Sequence, residues 1–151
     1  RAMSRFRRHS ILLISLGAVL RRATLKGLEA AGARFPRSNF REAKADGAVF
    51  DEADLEEAEF YAASLEKASF IGARARRALF SLAVLKEARF DEADLRGCKA
   101  LKVDLFQGSV DGANLEGADF RGSNLFQVEF YEARTKKADF TQANLKGTKL
   151  A

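Results

Sequence analysis

The feature that most constrains this chain is a beat of five residues. From Ala18 onward a large apolar residue recurs at every fifth position, at Leu20, Leu25, then Phe35, Phe40 and so on to Leu150. Calling each such centre i, the 27 centres comprise eleven Leu, ten Phe, four Ala, one Val and one Thr, and the position i−2 is Ala in 19 of the 27 units. A period of five fits neither regular element. It scatters the centres around a helix, and because five is odd it flips them from face to face of a flat strand. The chain must therefore turn within every unit, carrying each i side chain toward a common axis with a small residue at the inner corner. Gly at many i+2 positions, among them Gly27, Gly47 and Gly112, fits a turn there.

A second period places the core. Phe50, Phe60, Phe70, Phe80 and Phe90, then Phe120, Phe130 and Phe140, recur every ten residues, with Leu55, Leu65, Leu85, Leu95, Leu105, Leu115, Leu125 and Leu145 between them. If four units close one coil, Phe fills two opposite walls and Leu the other two, and alternating sizes pack one axial core. Between Cys98 and Gly117 the centres shrink to Ala100 and Val110 while i−2 grows to Cys98 and Val103, a packing compensation.

The units resemble the pentapeptide-repeat family, whose signature is A-(D/N)-L-x-x with Phe accepted for Leu. Ala93-Asp94-Leu95, Ala113-Asn114-Leu115, Ala118-Asp119-Phe120 and Ala143-Asn144-Leu145 carry that resemblance, which covers residues 18–151. It implies an all-β fold, a right-handed quadrilateral β-helix of about seven coils with adjacent strands roughly 4.8 Å apart. Residues 1–17 lie outside the beat and form a basic and apolar segment, helical or extended, whose expected role is to cap the first coil. A membrane-surface arm or a nucleic-acid arm are the alternatives for it.

Charge is unevenly placed. Residues 1–41 hold ten bases and one acid, a difference of +9, whereas residues 42–151 hold sixteen bases and twenty acids, a difference of −4. The basic head includes Arg5, Arg7, Arg8, Arg21 and Arg22, which could grip phosphates, although no stacking aromatics accompany them. The apolar run Ile11–Leu20, broken by Ser15 and Gly17, is about half the length needed to span a bilayer, so no transmembrane helix is expected. A single cysteine, Cys98, excludes an internal disulfide framework and points to the cytoplasm.

Little in the sequence supports catalysis. The one histidine, His9, lies in the head, so the repeat can build neither a His-dependent triad nor a His metal site. Cys98 falls on an inward i−2 position, and the run Asp51, Glu52, Asp54, Glu56, Glu57 and Glu59 falls on outward positions of successive walls. No catalytic, cofactor or metal residues, and no small-molecule substrate, are expected. Outer columns at i+1 stack every twenty residues, and in one of them Phe106 and Phe126 are the two repeat Phe residues that leave the i position, with Leu101 on the neighbouring wall. These three form the candidate protein-contact patch. The expected function is a non-enzymatic interaction or scaffold module with a protein partner, and a homodimer joined near the C-terminus is the expected assembly. The family resemblance also implies an alternative, a DNA-mimicking binder of DNA gyrase or topoisomerase IV that protects against topoisomerase poisons.

Overall fold

A computed structural model describes residues 17–150. The expected cap over residues 1–16 lies outside the described residues, as do Arg5, Arg7 and Arg8. Gly17 belongs to the β-helix: it occupies a corner with φ +65° and donates its N–H to the Pro36 carbonyl at 3.1 Å.

Every β-bridge joins residues twenty apart and is parallel, from Val19 with Asn39 to Asn124 with Asn144. Four five-residue units thus make one coil of a right-handed four-sided β-helix. Wall one carries the centres Leu20, Phe40 and Phe60, wall two Leu25, Ala45 and Leu65, wall three Ala30, Phe50 and Phe70, and wall four Phe35, Leu55 and Ala75; each repeats upward. The corner after a wall, positions i+1 and i+2, takes the number of that wall.

The backbone accounts for almost all of its own polar groups. The N–H of i and of i+2 donate to the next coil, as in Leu20 to Asn39 and Arg22 to Arg41. The N–H of i−1 donates to the preceding coil, as in Asn39 to Ala18, and the N–H of i−2 closes the turn on the previous centre, as in Ala23 to Leu20. Only the i+1 N–H remains, and a buried or half-buried donor needs a partner. Pro36, the one proline, sits at i+1, where it costs no ladder bond.

Among the described residues all 27 corners place i+2 at positive φ, ten with Gly and seventeen with other residues between +53° and +62°. With the i−2 N–H bonded back to the previous centre, this is the signature of a type II turn. The glycines are therefore the relaxed cases of a geometry that the stacked coils impose everywhere.

Inside, the Phe columns interlock. Phe40 and Phe60 stack at 4.7 Å and Phe70 and Phe90 at 4.6 Å along the axis, and Phe60 and Phe70 meet edge to face at 5.7 Å across it. Core residues from Leu25 to Leu125 are buried. Phe130, Phe140 and Leu145, read from sequence as core, are only half-buried. No further coil stacks on theirs among the described residues. Thr135 is half-buried for the same reason. No helix among the described residues is long and apolar enough to cross a membrane.

The interior narrows where the sequence said it would, but compensation is incomplete. A void of about 10 Å³ remains on the axis, lined by Phe80, Phe90, Leu95, Cys98, Ala100 and Val110 among others. Beside it the turn closing corner one is opened. Ser123, from the next coil, donates its hydroxyl to the Ala100 carbonyl at 2.7 Å and accepts the Val103 N–H at 3.1 Å, taking over the bond that other corners make directly.

Candidate protein-contact surface

The outer face is built by the residues that satisfy the spare i+1 N–H. Every Asp or Asn at i−1 accepts it: Asp94 from Arg96 at 3.2 Å, Asp104 from Phe106 at 3.3 Å, Asn124 from Phe126 at 3.2 Å and Asp119 from Arg121 at 3.2 Å are examples. In four units where i−1 is another residue, a side chain at i+1 of the preceding coil serves: Asp46 on Glu66, Asp51 on Ile71, Ser81 on Leu101 and Asp111 on Tyr131. This is what the acidic or amide position of the repeat does. The sequence showed its recurrence without its role.

Some of these carboxylates also clip the side chain they cap. Arg96 donates to Asp94, and Arg121 donates to Asp119 at 2.8 and 2.9 Å. The guanidinium bonds hold both carboxyls below the usual Asp range, against a smaller opposing effect of burial. The acid run around Asp51 is likewise engaged: Asp51 accepts from Ser69 at 2.5 Å, Asp54 pairs with Arg34 at 3.9 Å, Glu56 and Glu57 share Arg77, and Glu59 pairs with Arg41 at 3.8 Å. It is a tied-down surface. Among the described residues no cluster of His, Cys, Asp or Glu could hold a metal. Cys98 is buried, which pushes its thiol up to about 12, with the nearby Asp119 charge adding to the shift. It is no thiolate nucleophile at neutral pH.

Of the three residues read from sequence as a contact patch, Phe106 and Phe126 lie side by side, and further apolar side chains lie nearby. Phe106 and Phe126 stack at 5.5 Å with their planes 7° apart, yet both are half-buried, as is Leu101. Leu82 and Val84 complete the patch, at 44% and 39% exposure two of the four exposed large hydrophobics among the described residues. Backbone pairing fixes their neighbourhood. Leu82 donates to Leu101 at 2.9 Å along corner one, Val84 bridges Asp104 on wall two, and Glu87 donates to Phe106 at 2.8 Å along corner two. The apolar surface thus crosses the whole width of wall two. Lys86, paired with Asp104 at 3.8 Å, and the Gln107–Gln127 bond at 2.8 Å form its polar rim.

Leu82 is unusual in a second way. It holds φ +62°, and it is the one large apolar residue among the 27 left-handed corners. A bulky residue in that conformation is costly, by roughly 1–2 kcal/mol. Sequence reasoning passed over Leu82 because its i+2 position looked like any other until φ was known at every corner.

Charge segregates by corner. Corner three carries Asp51, Glu52, Asp91, Glu92, Asp111 and Glu132 and no base, whereas corner four carries Arg37, Arg76, Arg77, Arg96, Lys136 and Lys137 against three acids. Of the sequence-predicted basic head, Arg21 and Arg22 lie on corner one, Arg22 paired with Glu42 at 2.8 Å. An open notch of about 880 Å³ lies beside Glu129, Tyr131 and Lys149 at the last coil.

A family model described as pentapeptide repeats matches residues 33–70, 63–99 and 103–147, in 8 copies. Solved structures similar to the chain include trypsin-treated QnrB1, a plasmid-mediated fluoroquinolone resistance protein, at 21% identity over 93% of this chain and 92% of that one, with a TM-score of 0.41. HetL from the cyanobacterium Nostoc sp. strain PCC 7120, a protein involved in heterocyst differentiation regulation, is 23% identical over 92% and 85%, with a TM-score of 0.28. Rfr23 from the cyanobacterium Cyanothece 51142 is 22% identical over 88% of each chain, with a TM-score of 0.36. No curated protein matches at a significant level.

Proposed function

The chain belongs to the pentapeptide-repeat family, and from that premise we propose that it is a non-enzymatic scaffold of the cytoplasm that binds another protein through wall two. The observation that carries this reading is the clustering of Leu82, Val84, Leu101, Phe106 and Phe126 into one apolar surface across wall two. Solvated walls gain nothing from exposing leucine and valine, and apolar patches rimmed by polar residues mark contact sites. Leu82 adds to the case as the one large apolar side chain at the left-handed corners, a position that the other sixteen non-glycine corners give to charged, glutamine or alanine residues. The experiment is capture by the immobilised chain, compared with Leu82→Ser/Val84→Ser/Phe106→Ser. Partners retained by the first and lost by the second support the reading, and identical capture by both contradicts it.

A second reading, binding of DNA gyrase or topoisomerase IV by DNA-like charge, is favoured by the base-free acidic edge of corner three. That edge runs from Asp51 to Glu132, about 19 Å along the axis at the usual strand spacing. The bases of corner four oppose it. Inhibition of gyrase supercoiling by the purified chain, abolished by Asp91→Asn/Glu92→Gln/Asp111→Asn, decides for this reading. A second copy meeting the last coil, where Phe130, Phe140 and Leu145 are half-buried, is the assembly expected, and light scattering across concentrations checks it.

A further inference from the structure

We propose that the first coil of the β-helix docks end-on against an anionic lipid surface. Residues 17–45 carry seven bases, Arg21, Arg22, Lys26, Arg34, Arg37, Arg41 and Lys44, against Glu29 and Glu42, a difference of +5. The remaining described coils, residues 46–150, carry fifteen bases and nineteen acids, a difference of −4. The rod is polar along its axis.

Three of the seven bases are spent within the fold: Arg22 on Glu42, Arg34 on Asp54 and Arg41 on Glu59, with Arg41 also 4.6 Å from the ring centre of Tyr61. Arg21, Lys26, Arg37 and Lys44 are exposed and make no ion pair among the described residues. Residues 1–16 contain no acid that could reach them.

The placement of these four selects the shape of the partner. Arg21 is on corner one, Lys26 on corner two, Arg37 on corner four and Lys44 on wall two, one strand above Thr24. A linear polyanion lying along one side of the rod meets only a minority of them. A plane across the end of the rod meets all four, within about one strand spacing of the first coil and so inside a Debye length of about 8 Å. A membrane surface is such a plane.

Apolar surface accompanies the charge at the same end. Val19 is 76% exposed, the highest among the exposed large hydrophobics described. Cations beside apolar residues suit a lipid interface, where basic attraction and apolar insertion act together. Phosphate recognition in nucleic acid makes no use of exposed valine or leucine. This docking is independent of the partner assigned to wall two, which faces sideways from the same rod.

The test is co-sedimentation of the full 151-residue chain with vesicles of POPC alone and of POPC with 30% POPG, at about 0.1 M salt. The expected result is binding to the anionic vesicles at least tenfold above that to POPC, lost at about 0.5 M salt. Arg21→Glu/Lys26→Glu/Arg37→Glu/Lys44→Glu changes only exposed side chains and is expected to reduce that binding at least tenfold, with an unchanged circular dichroism spectrum and denaturation midpoint confirming the fold. Equal binding to both vesicles, no binding to either, or full binding by the variant overturns the proposal. So does a 20-base-pair duplex that displaces the chain from vesicles at equal phosphate concentration, since the end is then a nucleic-acid site. The wall-two variant Leu82→Ser/Val84→Ser/Phe106→Ser serves as a control and retains vesicle binding.

Discussion

The coils from Phe35 to Phe90 and those from Leu95 to Leu125 are built on one repeat and are packed in different ways. In the first, seven large rings are buried and meet at stacked and edge-to-face contacts of 4.6 to 6.4 Å. In the second, Ala100 and Val110 replace two rings, a void of about 10 Å³ opens, and Ser123 stands in for a turn bond. The apolar patch straddles the boundary: Leu82 and Val84 belong to the last regularly packed coil, Leu101 and Phe106 to the irregular coil and Phe126 to the coil after it. Regular packing makes the rod; the surface that departs from the repeat begins where the interior starts to depart.

The largest effect expected separates the two regions. Phe70→Ala removes a ring stacked on both Phe50 and Phe90, and should cost about 3–5 kcal/mol, read as an earlier midpoint in denaturant. Val110→Ala, at a centre beside the void, should cost clearly less, and equal losses would erase the comparison.

Next is the substituted turn bond. Ser123→Ala leaves the Val103 N–H and the Ala100 carbonyl buried and unpartnered, so a loss of about 1–3 kcal/mol is expected in the same assay. A neutral outcome would mean that corner one can close directly, as the others do.

Filling the void is smaller and of opposite sign. Val110→Ile adds one methylene where space exists and should stabilise by about 0.5–1 kcal/mol. The same kind of addition among the stacked rings, Ala75→Val at a fully buried centre, should destabilise by about 1–3 kcal/mol. Stabilisation at both sites would show the two interiors to be equally loose.

The acid limb of stability gives the smallest effect. Asp94 and Asp119 have folded-state pKa values below the unfolded value near 4. Their contribution is therefore fully present above that unfolded value and is lost as pH falls through the folded one. Asp94→Asn/Asp119→Asn keeps an oxygen for the Arg96 and Arg121 N–H groups and should flatten the fall of the melting temperature below about pH 4. An unchanged acid limb would show that the arginine clips carry no stability.

How far the sequence led is visible in particular residues. The register and the Phe columns follow from spacing, because an axial core admits one side-chain direction per five residues, whereas the four walls come from the resemblance to pentapeptide repeats. The corners were half legible: Gly112 announces its left-handed angle, whereas Glu52 and Leu82 hold the same angle because stacking above and below leaves no other path. The acidic position was visible at Asp94 as a pattern, and its purpose appeared only when the i+1 N–H was found without a ladder partner. Exposure was least legible. Phe106 looks outward by position and is half-buried against Phe126, and Val84 stands 39% exposed at a position that spacing alone does not distinguish.

The central claim is that wall two is kept apolar for binding, and Leu82 tests it most directly. Replacing it with Gly removes both the covered part of its exposed side chain and its left-handed strain, two effects of about 1–2 kcal/mol that oppose each other. Measured on one preparation, Leu82→Gly should leave the denaturation midpoint within about 1 kcal/mol of the parent while partner capture by the immobilised chain falls at least tenfold, by the linkage of 1.4 kcal/mol per tenfold. Undiminished capture, or a stability loss of several kcal/mol, would contradict the account and return Leu82 to the structure of the rod.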